Sequence, residues 1–261
     1  TVTVTSDMQI GNGNNPGGYN SIYTAQGGAL TVGNYLLIGT GGSTRSGAGE
    51  LDITGAAVSA KLISIGRGAS SASGAKGAIT ITSGSLTTAT DFWNADGGSS
   101  SAGTNYGFFN VSGGSVDIGT NFYNGYPRSA AIQARTVPTL TISGSNASFR
   151  VRGNYSAISN ATLVATIAGP THTAIRVDGN VTLNGTLAVE TNGIYKVKGG
   201  DSWDLIVADA AGVGTNKLIG TFQKVDVSKA QQPGGSWRLN YDMANKKVVL
   251  AFAAKGTVIF V

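Results

Sequence analysis

The sequence predicts an all-β chain folded as a β-solenoid, with a small antiparallel β module closing its C-terminal end. Three observations carry this. An apolar–polar–apolar triplet recurs as Leu30-Thr31-Val32, Leu51-Asp52-Ile53, Ile79-Thr80-Ile81, Phe109-Asn110-Val111 and Leu140-Thr141-Ile142, at intervals of about 21 to 31 residues, a period that marks stacked repeats. Gly accounts for 40 of 261 residues and Pro for only 5; the glycine share is about twice the usual one and suits many short strands joined by tight turns. Beyond Tyr195 the short repeats give way to longer strands.

Thr1 to Thr5 alternates Thr with Val, the period-2 pattern of a strand. Ile10 to Gly18 reads as a loop by composition, and Ser21-Ile22-Tyr23-Thr24 as strand again. In each triplet the apolar residues should face the core and the middle residue solvent, because successive side chains alternate faces. A second short strand follows most triplets: Leu36-Leu37-Ile38, Leu62-Ile63-Ser64-Ile65, Phe92-Trp93-Asn94 and Phe122-Tyr123-Asn124. Gly39 and Gly66 align with Asn94 and Asn124, residues that tolerate a left-handed backbone and so suggest one fixed corner. The series Gly55, Gly84, Gly113, Gly144 suggests a second, and a variable Gly-rich loop forms the third. The expected coil is therefore roughly triangular, with three strands per turn.

Residues 1–194 form the solenoid on this reading, with an N-terminal strand over 1–5 and regular repeats over 28–151. Residues 195–261 form the closing region, built from Trp203 to Val207, Leu218 to Val227, Trp237 to Tyr241 and Lys246 to Phe252, with a terminal strand over 256–261. A cover of this kind protects the sheet edges that a solenoid end exposes. The terminal strand Gly256-Thr257-Val258-Ile259-Phe260-Val261 is apolar, β-prone and uncharged, an aggregation hazard unless it is paired.

The composition narrows the function. The net charge is +5, but Lys and Arg are scattered with no basic block, which argues against nucleic acid. No run of 18 apolar residues occurs, so no membrane insertion is expected. The chain has no cysteine and begins Thr1-Val2-Thr3 without Met. The expected location is extracellular or at the cell surface, as a secreted chain with its signal peptide removed.

Gly28-Ala29-Leu30-Thr31-Val32-Gly33 and Gly77-Ala78-Ile79-Thr80-Ile81-Thr82-Ser83-Gly84-Ser85-Leu86 resemble autotransporter-passenger repeats and those of PEP-CTERM-type secreted β-helix proteins. Val181 to Leu187, Gly200 to Ile206, Gly220-Thr221-Phe222 and Trp237 to Tyr241 resemble the closing module of such proteins. The resemblance covers most of residues 28 to 252 and implies a right-handed parallel β-helix displayed outside the cell. The chain departs from the pattern at its end, where Lys255 to Val261 stands in place of a Pro-Glu-Pro anchor, apolar helix and basic tail.

Catalytic constellations are sparse. Glycoside hydrolysis needs two carboxylates facing one another across a cleft, and the 13 acidic residues are thinly spread. Asp91 and Asp96, flanking Trp93, are the best local pair. His172 is the only histidine; without partners it makes neither a triad nor a metal site, and it reads as an exposed loop residue. No enzymatic activity, cofactor or metal is expected. Trp93, Tyr123, Tyr126 and Tyr106 form a candidate platform for a glycan or a partner, if one ring of each aromatic pair faces out. The expected function is a structural subunit of an extracellular filament or surface layer. It would assemble head-to-tail with copies of itself through Val2, Val4 and the strand Thr257, Val258, Ile259, Phe260 and Val261. The alternatives are an adhesin that binds cell-surface or matrix polysaccharide, and a polysaccharide lyase or hydrolase.

Overall fold

A computed structural model describes residues 1–13, 20–42, 46–68, 74–97, 103–126, 129–230 and 232–255. These residues form a parallel β-solenoid of about seven turns. The first coil comprises β1 (Val2–Val4), β2 (Met8–Asn12) and β3 (Asn20–Ala25). Three long strands bend around the corners of the next coils: β4 (Ala29–Thr40), β5 (Gly47–Arg67) and β6 (Ala75–Thr88). The fourth coil is completed by β7 (Phe92–Asn94) and β8 (Asn105–Val111), and the fifth by β9 (Gly114–Ile118), β10 (Phe122–Asn124), one helical turn α1 (Ala130–Gln133) and β11 (Thr136–Ser143). The sixth is β12 (Ala147–Val151), β13 (Tyr155–Ala157) and β14 (Thr162–Ile167); the seventh is β15 (Ile175–Val177), β16 (Val181–Thr182) and β17 (Thr186–Thr191).

The strands stack into three parallel walls. On wall 1 the inward column runs Val2, Leu30, Val58, Leu86, Val116, Phe149, Ile175 and Ile206. On wall 2 it runs Met8, Leu36, Ile63, Phe92, Phe122, Tyr155, Val181 and Leu218. On wall 3 it runs Tyr23, Leu51, Ile79, Phe109, Leu140, Leu163 and Leu187. The middle of the core is an aromatic stack: Phe92 lies 4.6 Å from Phe109 and 5.2 Å from Phe122, and Phe122 lies 5.6 Å from Tyr155. Each such buried ring contributes about 1.5–3 kcal/mol through the apolar surface it removes from water.

The registers and backbone angles revise four expectations. Leu30-Thr31-Val32 belongs to wall 1, whereas the other four triplets lie on wall 3; its counterpart there is Tyr23-Thr24-Ala25. That mismatch makes the first triplet interval short. The true wall 3 spacing is about 23 to 31 residues from Tyr23 to Leu187. The left-handed corner is carried by Gly39 (φ 66°), Gly66 (φ 62°), Ala95 (φ 58°) and Gly125 (φ 88°), one place beyond Asn94 and Asn124. A Cβ on Gly39 would also sit 1.9 Å from the Lys76 carbonyl oxygen, so wall 2 runs into wall 3 too closely for any side chain. The second corner uses Gly55, Gly84 and Gly144 as expected, with Gly114 (φ 73°) in place of Gly113. Finally, Ile10 to Asn12 is strand, because Ile10 stacks inward on Ile38; residues 14–18 of the expected loop lie outside the described residues.

The parallel walls continue through β18 (Ser202–Val207), β19 (Leu218–Ile219) and β20 (Lys224–Lys229), which pair with β15, β16 and β17. Antiparallel pairing begins only at the hairpin β21 (Gly235–Asp242) and β22 (Lys247–Ala254), with β22 also lying antiparallel to β18.

Candidate assembly interface

Among the described residues, the N-terminal end of the solenoid is an uncovered cross-section. β1, β2 and β3 pair only with β4 and β5, so their outer edges carry no strand partner among the described residues. The core columns emerge there. Val2 is 50% exposed, whereas Leu30, next in its column, is 3% exposed. Val4, Met8 and Tyr23 are partly buried and packed against the core. A cleft of about 200 Å³ at this rim is lined by Val2, Tyr23, Ala25 and Leu30 among others. Asp7 is the only charged side chain in residues 1–28, and it accepts hydrogen bonds from Asn34 Nδ2 (2.7 Å) and the Tyr35 amide (3.2 Å). Free backbone edges beside exposed apolar side chains form a template for strand addition.

The C-terminal end is covered. Trp203 is buried 5.6 Å from Trp237, which lies 5.2 Å from Phe252. The polar atoms of this cover are satisfied: Trp203 Nε1 donates to the Gly169 carbonyl (3.0 Å), Trp237 Nε1 to the Ala230 carbonyl (2.6 Å), and Tyr241 Oη accepts from the Phe222 amide (2.9 Å). Asp209 pins the loop after β18 to the β21–β22 turn. It accepts from Lys246 Nζ (2.6 Å), the Gly214 amide (2.8 Å), Asn216 Nδ2 (3.0 Å) and the Val213 amide (3.1 Å). The hydrogen bond from Lys246 leads the causes that hold its pKa down, at about 2. The edge strand β20 carries Lys224, Asp226 and Lys229, with Lys229 bonded to Glu190 at 2.7 Å; charge of this kind discourages edge pairing. The strand expected over Thr257, Val258, Ile259, Phe260 and Val261 lies outside the described residues. The chain enters it from β22 through Lys255, whose amide donates to the Gly234 carbonyl at 2.8 Å.

The four platform aromatics divide between two walls. Trp93 and Tyr123 are neighbours on the outer face of wall 2, and Tyr126 packs against both, at 4.3 Å from Trp93 and 5.1 Å edge-on from Tyr123. All three are half-buried, and burial leads the causes that raise the Tyr123 pKa, followed by the Asp91 charge. Their partners Phe92 and Phe122 fill the core, as alternation requires. Tyr106 stands on wall 3, stacked at 6.3 Å on Phe108, over which Lys76 Nζ sits at 5.7 Å.

Asp91 and Asp96 sit at opposite ends of β7 and do not face one another across a cleft. Asp91 accepts from Thr120 Oγ1 and from the Asn121 amide (3.0 Å), while Asp96 is buried 3.6 Å from Arg67 Nε. His172, expected to be exposed, is half-buried. Its Nε2 lies 3.2 Å from the Ile142 carbonyl oxygen, and burial, the leading cause, pushes its pKa down. The cause is local: the Thr173 amide donates to the Gly144 carbonyl (2.8 Å), which folds this loop onto the rod.

Two polar ladders are not apparent from the sequence pattern alone. At the corner between walls 1 and 2, Asn121 donates to Asp91, Asn154 to Asn121, Asn180 to Asn154 and the Lys217 amide to Asn180, at 2.8 to 3.1 Å. Inside the core, Asn94 Nδ2 donates to Asn124 Oδ1 (2.9 Å) and to the Thr139 carbonyl (3.0 Å). Recurrence of Asn at about the coil period, as at Asn121, Asn154 and Asn180, is the signal that could have found the first.

No protein-family model matches the chain, and no curated protein matches it.

Proposed function

We propose that this chain is a structural subunit of an extracellular filament or surface layer, whose copies stack head-to-tail. The N-terminal cross-section carries this reading: edges on three walls without a strand partner among the described residues, a half-exposed Val2 beside partly buried Val4, Met8 and Tyr23, and almost no charge. Its occupant is the strand 256–261 of a second copy. That segment follows β22 in the sequence, has uncharged side chains like the edge it would join, and its six residues span about 20 Å when extended. Alternate residues, Val258 with Phe260 or Ile259 with Val261, would cover the apolar columns that Val2 and Val4 leave exposed. A heterologous contact of this kind does not close and propagates into a fibre. The reading gives the chain no catalytic step. Deleting residues 256–261 should leave a folded monomer, by circular dichroism and sedimentation, and abolish fibres in negative-stain microscopy. Normal fibres from the truncated chain would overturn it.

The adhesin reading draws on the Trp93–Tyr126–Tyr123 cluster, whose flat rings have the shape to stack on sugars. Glycan-array binding that is lost in Trp93→Ala would favour it over the structural one.

A further inference from the structure

The outer face of wall 1 changes character along the rod. Its central column reads Thr3, Thr31, Ser59, Thr87, Asp117, Arg150, Arg176 and Val207. Hydroxyls occupy the first four positions, charged side chains the next three, and Val207 the last. Over the charged positions lies an open groove of about 1000 Å³ with Thr87, Asp117, Arg150 and Arg176 on its floor. The loop carrying Thr171 and His172 lines one part of it, and Asp204 and Ala210 another.

The groove is lined by Asp117, Asp178 and Asp204 against Arg150 and Arg176, and counting Arg152 and Lys247, which hold two of these carboxylates from outside it, four cations face three anions. Arg152 holds Asp117 with Nε and Nη2 at 2.9 and 2.5 Å, Arg150 holds Asp178 at 3.0 and 2.7 Å, and Lys247 holds Asp204 at 2.6 Å. Each groove aspartate is thus engaged by a cation. Arg176 is exposed and has no acidic hydrogen-bond partner among the described residues. It also stands directly beside Arg150 in the parallel register. Asp178 occupies Arg150 Nε and Nη2, so Arg176 is the guanidinium of this pair left open to an outside anion.

We propose that this groove binds an acidic polysaccharide, with a uronate carboxylate seated on the Arg176 guanidinium beside Arg150. A guanidinium fork matches a carboxylate in bidentate geometry. The remaining polar lining, which includes Thr87, Ser115, Ser148 and Thr171, offers hydroxyls to sugar hydroxyls. The floor from Thr87 to Arg176 crosses three strand spacings, about 14 Å, the scale of a short oligosaccharide. An acidic peptide fits less well, because the large apolar side chains beneath the floor, Val116 and Phe149, are fully buried and leave no pocket for its side chains. This site is separate from the N-terminal end and from the aromatic cluster.

The test is titration of the full chain with oligogalacturonate by calorimetry, with a neutral malto-oligosaccharide and poly-glutamate as controls. Binding should be selective for the uronate and weaken at about 0.5 M salt, where exposed charges are strongly screened. Arg176→Gln should lose binding by about tenfold or more with an unchanged melting temperature, since Arg176 is exposed and holds no carboxylate among the described residues. Arg176→Lys should retain part of the affinity. Absence of uronate binding, equal binding by Arg176→Gln, or equal binding of poly-glutamate would overturn the proposal.

Discussion

At the N-terminal end of the rod Val2 and Tyr23 leave the core columns partly exposed, whereas at the C-terminal end Trp203, Trp237 and Phe252 close them. The same three walls run to both ends, so the difference does not come from the repeat. It comes from the segment after the last coil: a hairpin whose β22 turns antiparallel onto β18 and a loop pinned by Asp209. A parallel stack has no intrinsic stop, because every coil leaves an edge that another strand can pair with. Stopping it takes dedicated sequence, and that sequence is found on one side only among the described residues.

The largest expected effect lies at the covered end. Trp203→Ala, which empties a 2%-exposed site, should cost about 3–5 kcal/mol in urea unfolding, as large-to-small core changes do. Equal sensitivity at Val2→Ala, expected to cost under about 1 kcal/mol at a half-exposed site, would erase the contrast between the ends. In the middle of the rod, Asn124→Ala removes the acceptor of the buried Asn94 amide and should cost about 1–3 kcal/mol.

Acid should loosen the covered end first. The Asp209 carboxyl is held at about 2 against an ordinary value of 3.8. Its folded pKa is the lower one, so its stabilising effect is complete above about pH 4 and is lost as the pH falls toward 2. Asp242, at the turn of the same hairpin, is also lowered, chiefly by hydrogen bonds from Asn245. Hydrogen exchange should show β21 and β22 opening over this window, ahead of the middle coils; simultaneous opening would show that the hairpin is not a separate unit. The smallest effect on stability belongs to Val2→Lys. At an exposed position the change in unfolding free energy should stay under about 1 kcal/mol, while fibre formation is lost. Fibres that survive it would separate the open end from assembly.

The fold was legible in the sequence because alternation within each strand reports the inward face directly. Leu51 and Ile53, Phe109 and Val111, and Leu140 and Ile142 all point into the core as their spacing demands. The longer strands past Tyr195 suggested an antiparallel module, yet β18, β19 and β20 extend the parallel walls and antiparallel pairing enters only with β21 and β22. What the sequence left open was the alignment of one coil on the next, since the loop between walls 2 and 3 varies in length. Leu30 and Leu51 look alike in sequence yet lie on different walls, and Asn94 is one place short of the corner its alignment with Gly39 suggests.

By itself, then, the sequence determined the parallel repeat, its inward residues and its poverty in clustered acid–base groups. Only the tertiary structure decided which residues meet across coils. It stacked Asn154 on Asn121, gathered Tyr126 onto Trp93, and set Arg176 beside Arg150. The physical reason is that hydrophobic alternation acts within a strand, whereas ladders and charge pairs act between strands about 23 to 33 residues apart, where register is set by the turns and the packing of the whole stack.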